Sequence, residues 1–202
     1  IITKFGSKIN GIFSVITHPK VVNLARNAGI KIHWLHTLFD YAEGKKSFNH
    51  TSAMIVRAKN HVDGLPAIQT GGNAGTSSWF VAWRILKNDT VALIGINHGW
   101  EENEDISKMI KSHQREITND NAKIIKKDDP KYKNYFKKIH NPDFNCDAIV
   151  DPLYQFYRMA LLEFISRSPS WLTTINATEG GSIFGKRIES MKFKDFLKNY
   201  QE

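Results

Sequence analysis

A chain of 202 residues, 41% hydrophobic and 24% charged, can fill one core, and no apolar run approaches the roughly 20 residues that span a bilayer. The net charge of +8 is spread, thickest from Lys123 to Lys138, and no nucleic-acid-binding motif accompanies it, so a solvated face is the simpler reading and no nucleic-acid partner is expected. The single cysteine, Cys146, leaves no internal disulfide and no Cys-based zinc knuckle, which fits a reducing, cytoplasmic setting.

Gly11 to His18 reads as a strand ending at His18-Pro19, after which Val21, Val22, Leu24 and Ala25 carry helical spacing and Asn27-Ala28-Gly29 supplies a C-cap. Ile30 to His36 is a second strand. His18 and His36 therefore fall at strand ends, where a ligand crevice would lie. A polar loop from Asp40 to Ser47 precedes a helix carried by Phe48, Ala53, Met54, Val56 and Ala58, which Gly64-Leu65-Pro66 closes.

The next stretch organises the chain. Ile68-Gln69 ends a strand, Thr70-Gly71-Gly72-Asn73-Ala74-Gly75-Thr76 makes a glycine-dense turn, and the apolar run from Trp79 to Leu86 reads as a buried helix. A helix that starts on such a turn presents unpaired amides and a positive dipole end, which suits a phosphate. The spacing is neither that of the dinucleotide fingerprint nor that of the Walker loop. Thr90 to Ile96 is a β-branched apolar run of the kind found in a central parallel strand, and Asn97, His98 and Gly99 follow it.

From Trp100 the character changes. Glu101-Glu102-Asn103-Glu104-Asp105 is acidic and the chain stays polar and lysine-rich to Tyr135, so 101–138 reads as a polar helical insertion or lid. Exposed acidic loops are commoner than metal sites, and no metal ligand is assigned there. Ile139 to Asn145 reads as a packed loop. Asp151-Pro152 then opens a strong helix, with Leu153, Phe156, Tyr157, Ala160, Leu161, Phe164 and Ile165 on one stripe. Its tyrosines, Tyr154 and Tyr157, read as core; Arg158 is placed to meet a phosphate, a carboxylate or a neighbouring acid. Trp171 to Asn176 is the last internal strand, and Phe193, Phe196 and Leu197 mark a short closing helix.

The alternation gives an α/β fold: a single Rossmann-like three-layer domain over 1–202, with a mostly parallel sheet. Three strand ends carry nucleotide-site vocabulary. Thr70, Gly71, Gly72, Asn73, Gly75 and Thr76 form the first, Asn97 and His98 the second, and Asn176, Thr178, Glu179, Gly180 and Gly181 the third. Glycine amides and neutral Asn and Thr groups would hold the ligand. His98 is the general acid/base candidate; Glu179 is a candidate base, Mg²⁺ holder or ribose acceptor, set against a plain helix cap.

Together these motifs resemble the core of a domain-of-unknown-function family that joins archaeal 6-hydroxymethylpterin pyrophosphokinases (MptE-like proteins) to the motility accessory factors that glycosylate flagellin. The residues that carry the resemblance are Gln69 to Trp79, Ala92 to Gly99 and Asn176 to Gly181, within a match from about Ile12 to Gly181. The resemblance implies a Rossmann-like domain acting on a nucleotide: a CMP-activated nonulosonic sugar in the motility branch, ATP with Mg²⁺ in the pterin branch. Two departures stand out. The family's opening Gly-x-Gly-Pro-Ser-Leu loop is missing, so an upstream segment is expected before Ile1. Asn97 stands where many members carry Asp, which weakens metal coordination there. The Thr-Glu-Gly-Gly motif and the Gly-Gly-Asn-Ala-Gly turn are closer to the glycosyltransferase branch. The expectation is thus a nucleotide-sugar transferase with a possible protein acceptor; a pterin pyrophosphokinase is the runner-up, and a non-catalytic nucleotide-binding module the third reading.

Overall fold

A computed structural model describes residues 2–38, 67–105 and 130–200. The chain folds as two compact units, Ile1–Gly72 and Asn73–Glu202. The loop expected after Asp40, the helix expected from Phe48 and the lysine-rich middle of the expected insertion lie outside the described residues.

The first unit opens with a short helix α1 (Ile2–Phe5) and a 3-10 turn, then strand β1 (Asn10–Ser14), helix α2 (Pro19–Asn27), strand β2 (Lys31–Leu38) and strand β3 (Ala67–Gln69). The three strands pair in parallel in the order β1-β2-β3. Helix α2 starts where His18 Nδ1 accepts the Lys20 amide at 3.2 Å and Pro19 fills the first turn, so His18 works as a cap. Val22 and Ala25 are its buried residues, and Gly29, at φ +77°, turns the chain back into β2. His36 is buried within β2, with Thr37 beside it donating to or accepting from Ser14 Oγ at 3.0 Å.

In the second unit helix α3 (Ala74–Phe80) widens into a π-helical turn over Val81–Ile85. It is followed by β4 (Thr90–Leu93), β5 (Trp100–Glu101), α4 (Pro130–Tyr135), β6 (Lys137–Asn141), β7 (Cys146–Val150), α5 (Pro152–Ser166), β8 (Thr173–Asn176), β9 (Ile188–Ser190) and α6 (Phe193–Tyr200). Two sheets result. One is parallel, in the order β4-β8-β9, and the other is antiparallel, in the order β5-β7-β6.

The core gathers Trp79 and Trp83 from α3 and its π turn, Val91 and Leu93 from β4, Leu161 and Ile165 from α5, with Leu172 and Ile183. Helices α3 and α5 touch through Phe80 and Phe164, whose ring centroids lie 5.0 Å apart edge to face. Trp79 Nε1 donates to Thr174 Oγ1 at 3.0 Å, which satisfies two buried polar groups and pins α3 to β8. The protein is therefore an α/β fold with parallel sheets.

Several elements differ from expectation. Strand β4 ends at Leu93 and not at Ile96, because the chain leaves it before Gly95, at φ +69°, and Ile94 is exposed. Ile139 to Asn145 is not mainly loop: its first half belongs to β6, and Asn145 at φ +49° helps reverse the chain into β7. The ends of the expected insertion are strands, with Glu101 in β5 and Lys137 and Lys138 in β6. Nor is β8 the last strand, since the short polar β9 pairs beside it.

Candidate functional site

The site grows from two loops that leave the carboxyl ends of the paired parallel strands β4 and β8: Gly95 to Gly99, and Ala177 to Ser182. They are bound to each other. Thr178 Oγ1 accepts the Ile96 amide at 3.3 Å and donates to the Leu93 carbonyl at 3.2 Å. The Ser182 amide donates to the Asn97 carbonyl at 2.8 Å, and Ser182 Oγ donates to the His98 carbonyl at 2.7 Å. Asn176, fully buried, organises the second loop from below: its Nδ2 donates to the Ile183 carbonyl at 2.6 Å and its Oδ1 accepts the Thr178 amide at 2.9 Å. Arg158 reaches across from α5, where its Nε donates to the Ser182 carbonyl at 2.7 Å and its guanidinium covers the Phe184 ring. Burial lowers the Arg158 pKa.

Two cavities flank these loops. One, of about 500 Å³, is lined by the start of α3 (Asn73, Gly75), the first loop, and Trp100, Tyr154 and Tyr157. The other, of about 540 Å³, lies between the second loop and the β5-β7-β6 sheet, with Thr178, Glu179, Gly180 and Gly181 facing Cys146, Asp147 and His140. They share Asn97, Gly99, Trp100 and Glu101 as a common wall. Both volumes fall in the range of small-molecule sites.

The polar cavity carries an ion network. Lys138 Nζ reaches Asp147 Oδ2 at 2.6 Å and Glu102 Oε1 at 2.7 Å, and His140 Nδ1 meets Asp147 Oδ1 at 2.8 Å. Hydrogen bonding from Lys138 and then from His140 holds the Asp147 carboxyl below its usual range, while Asp147 and Glu102 raise the Lys138 pKa. These groups are solvated and add little stability.

The sequence-derived residues divide by role. Asn73, Gly75, Asn97 and His98 line the first cavity, and Asn97, Thr178, Glu179, Gly180 and Gly181 the second. Asn176 and Thr76 are buried scaffolding; Thr76 accepts Asn73 Nδ2 at 3.0 Å and returns its amide to Asn73 Oδ1 at 2.9 Å. Thr70, Gly71 and Gly72 belong to the first unit, where Thr70 Oγ1 accepts the Gly72 amide at 3.2 Å and both glycines have positive φ.

Glu179, at φ +62°, accepts the amide of Phe193, the first residue of α6, at 3.1 Å, so the capping alternative describes its contact. His98, at φ +41°, is buried, and burial lowers its pKa to about 4, so the ring is neutral at pH 7. Sequence reasoning took Tyr154 and Tyr157 for core, yet both line the first cavity. It missed His140 and Asp147 as partners, because they meet only through the β6–β7 register, where His140 stands opposite Asp147.

No group of three or more His, Cys, Asp or Glu side chains among the described residues is arranged to hold a metal ion, and Asn97 offers a neutral amide. No helix among the described residues is long and apolar enough to cross a membrane. Comparison with known protein families, curated proteins and solved structures returns no match.

Proposed function

We propose that the chain is a nucleotide-dependent transferase with a Rossmann-like core, acting in the cytoplasm on a nucleotide-sugar of the CMP-sugar type. The observation that carries this reading is the pair of cavities that share Asn97, Gly99, Trp100 and Glu101 as one wall, at the carboxyl ends of two parallel strands. Group transfer needs donor and acceptor held on either side of a short gap, and strand ends of a parallel sheet are where α/β proteins build such crevices. The donor occupies the aromatic cavity beside the start of α3, and the acceptor, a hydroxyl-bearing group that includes a protein side chain among its candidates, occupies the polar one.

His98 serves as a neutral hydrogen-bonding group in this scheme. A ring with a pKa near 4 holds too little charge at pH 7 to act as a general acid. Glu179 lines the polar cavity and holds α6 with one oxygen.

Thermal-shift titration tests the reading directly. A ligand at a hundred times its dissociation constant adds about 2.7 kcal/mol. A melting-temperature rise with CMP or CDP, unmatched by ATP plus a pterin and Mg²⁺, supports the transferase; a rise only with ATP and a pterin supports the pyrophosphokinase. Absence of response to every nucleotide sinks both. The engagement of Glu179 and the neutrality of His98 favour a second reading, a nucleotide-binding module without turnover, which binding without product in a transfer assay would support.

A further inference from the structure

His140 in β6 stands opposite Asp147 in β7, so both side chains leave one face of the antiparallel sheet, and both line the polar cavity. His140 Nδ1 meets Asp147 Oδ1 at 2.8 Å, while Lys138 Nζ holds the second oxygen, Oδ2, at 2.6 Å. Hydrogen bonding from Lys138 and then from His140 lowers the Asp147 pKa, so the carboxyl is ionised at pH 7. An ionised carboxylate only accepts, and the proton of its bond to His140 is therefore on Nδ1. A neutral imidazole carries one ring proton, which leaves Nε2 as the basic lone pair.

The rest of the ring is open. Its Nδ1 edge is turned to Asp147, the side chain is nonetheless 57% exposed, and Nε2 makes no hydrogen bond within the described residues. The edge of an imidazole away from Nδ1 is the one that carries Nε2. A carboxylate that fixes the tautomer of a histidine, and then stabilises the imidazolium formed when the ring takes a proton, is the arrangement of a general base with its orienting partner. Around the pair, the titratable groups of the described residues are Glu101 and Glu102 from the β5 side, Lys138 from β6, Cys146 from β7 and Glu179 from the second loop. Lys138 bridges Asp147 and Glu102, and Glu179 holds the Phe193 amide.

We propose that His140 is the proton acceptor of the polar cavity: Nε2 takes the proton of a hydroxyl bound there, and Asp147 is the positioning residue that holds the ring in the required tautomer. The proposal deepens the transferase reading and rests on it for the identity of the electrophile. As the acceptor hydroxyl gives its proton to Nε2, its oxygen forms a bond to the anomeric carbon of the donor. The bond from that carbon to the phosphate oxygen breaks, and its electron pair leaves with the nucleotide. The imidazolium, held by Asp147, then returns the proton to solvent.

Two measurements on the full chain test it. The first needs no donor: long-range ¹H–¹⁵N spectroscopy of the ¹⁵N-labelled chain reads the His140 tautomer, assigned through His140→Gln, and diethyl pyrocarbonate with mass spectrometry reads access to its free nitrogen. The expected result is Nδ1–H in the neutral ring and rapid modification of His140. An Nε2–H tautomer, or a His140 that reacts as slowly as the buried His36, overturns the proposal. The second follows CMP release from CMP-N-acetylneuraminate, with water or N-acetylthreonine amide as the hydroxyl, across the pH range. His140→Gln should lower kcat about a hundredfold, leave the donor KM in place and abolish the fall in rate on acidification. Asp147→Asn should lower kcat with the same donor KM, and His140→Ala should regain rate with added imidazole, which a merely structural loss would not. A wild-type rate and pH profile in His140→Gln overturns the proposal. A wild-type chain that neither responds to CMP in the thermal-shift titration nor releases it removes the transferase reading, and the tautomer and modification results then decide this one.

Discussion

A β-carbon on Gly181 would come within 2.7 Å of the Cα and carbonyl oxygen of Asn97, at a residue whose φ is +75°. Clash and conformation therefore act together there and separately elsewhere. Gly181→Ala should cost about 3 kcal/mol, from the left-handed backbone plus the forced separation of two loops. Gly95→Ala, at φ +69° but with nothing within 4 Å of the added carbon, should cost only about 1 kcal/mol. Gly180→Ala, whose nearest contact is the Cys146 sulfur at 3.6 Å, should be close to neutral. Urea denaturation of the three variants checks the order, and equal losses would deny the close approach.

His98 sets a pH dependence. Its folded pKa is lowered to about 4 from the ordinary 6.5, so below 6.5 the unfolded chain takes up a proton that the folded chain refuses. The contribution is absent above pH 6.5, and stability falls as pH drops toward 4, by roughly 3 kcal/mol at most if burial alone governs the shift. Denaturation of wild type and His98→Asn from pH 7.5 to 4 checks this: the variant should show a shallower decline over the 6.5-to-4 window.

Glu179 separates a capping role from a chemical one. Glu179→Gln keeps an oxygen for the Phe193 amide and should change stability by a few tenths of a kcal/mol, whereas Glu179→Ala should lose about 1 kcal/mol. If transfer depends on the carboxylate charge, the glutamine variant loses turnover with its melting temperature unchanged. Retained turnover in that variant would confine the residue to capping.

Asn176 holds the second loop through both ends of its amide. Asn176→Asp presents a carboxylate to the Ile183 carbonyl, which its Nδ2 now satisfies at 2.6 Å, in a fully buried place, and should cost about 3 kcal/mol or more. Asn176→Ala should cost about 2 to 3 kcal/mol, by leaving the Thr178 amide and the Ile183 carbonyl unpaired. Calorimetric melting distinguishes the two.

Local chemistry was the readable part of this chain. The Asp151 carboxylate accepts the Tyr154 amide at 2.9 Å with Pro152 in the first turn, as the residue types announce, whereas Asn73, expected beside unpaired amides as a ligand contact, itself caps α3 by accepting the Thr76 amide. Parallel strands with polar glycine-rich ends were readable from β-branched runs that stop abruptly, as at Asn176, although the end of β4 at Leu93 came three residues before the one expected. The antiparallel sheet was not, because Lys137, Lys138 and His140 put charge on an exposed strand and hide the alternation that marks one; the Ala148-Ile149-Val150 run before Asp151 was the available sign. Partnerships across the chain were also illegible: nothing in the sequence says that Ser182 meets Asn97, that Glu179 meets Phe193, or that Arg158 meets a carbonyl.

The Ser182 hydroxyl and amide together grip the consecutive carbonyls of Asn97, which lines both cavities, and His98, which lines the first. Rotating the peptide that joins them would break both bonds to Ser182 at once. The two strand-end loops are thus fastened at one place, and neither can swing away from the other without giving up both bonds.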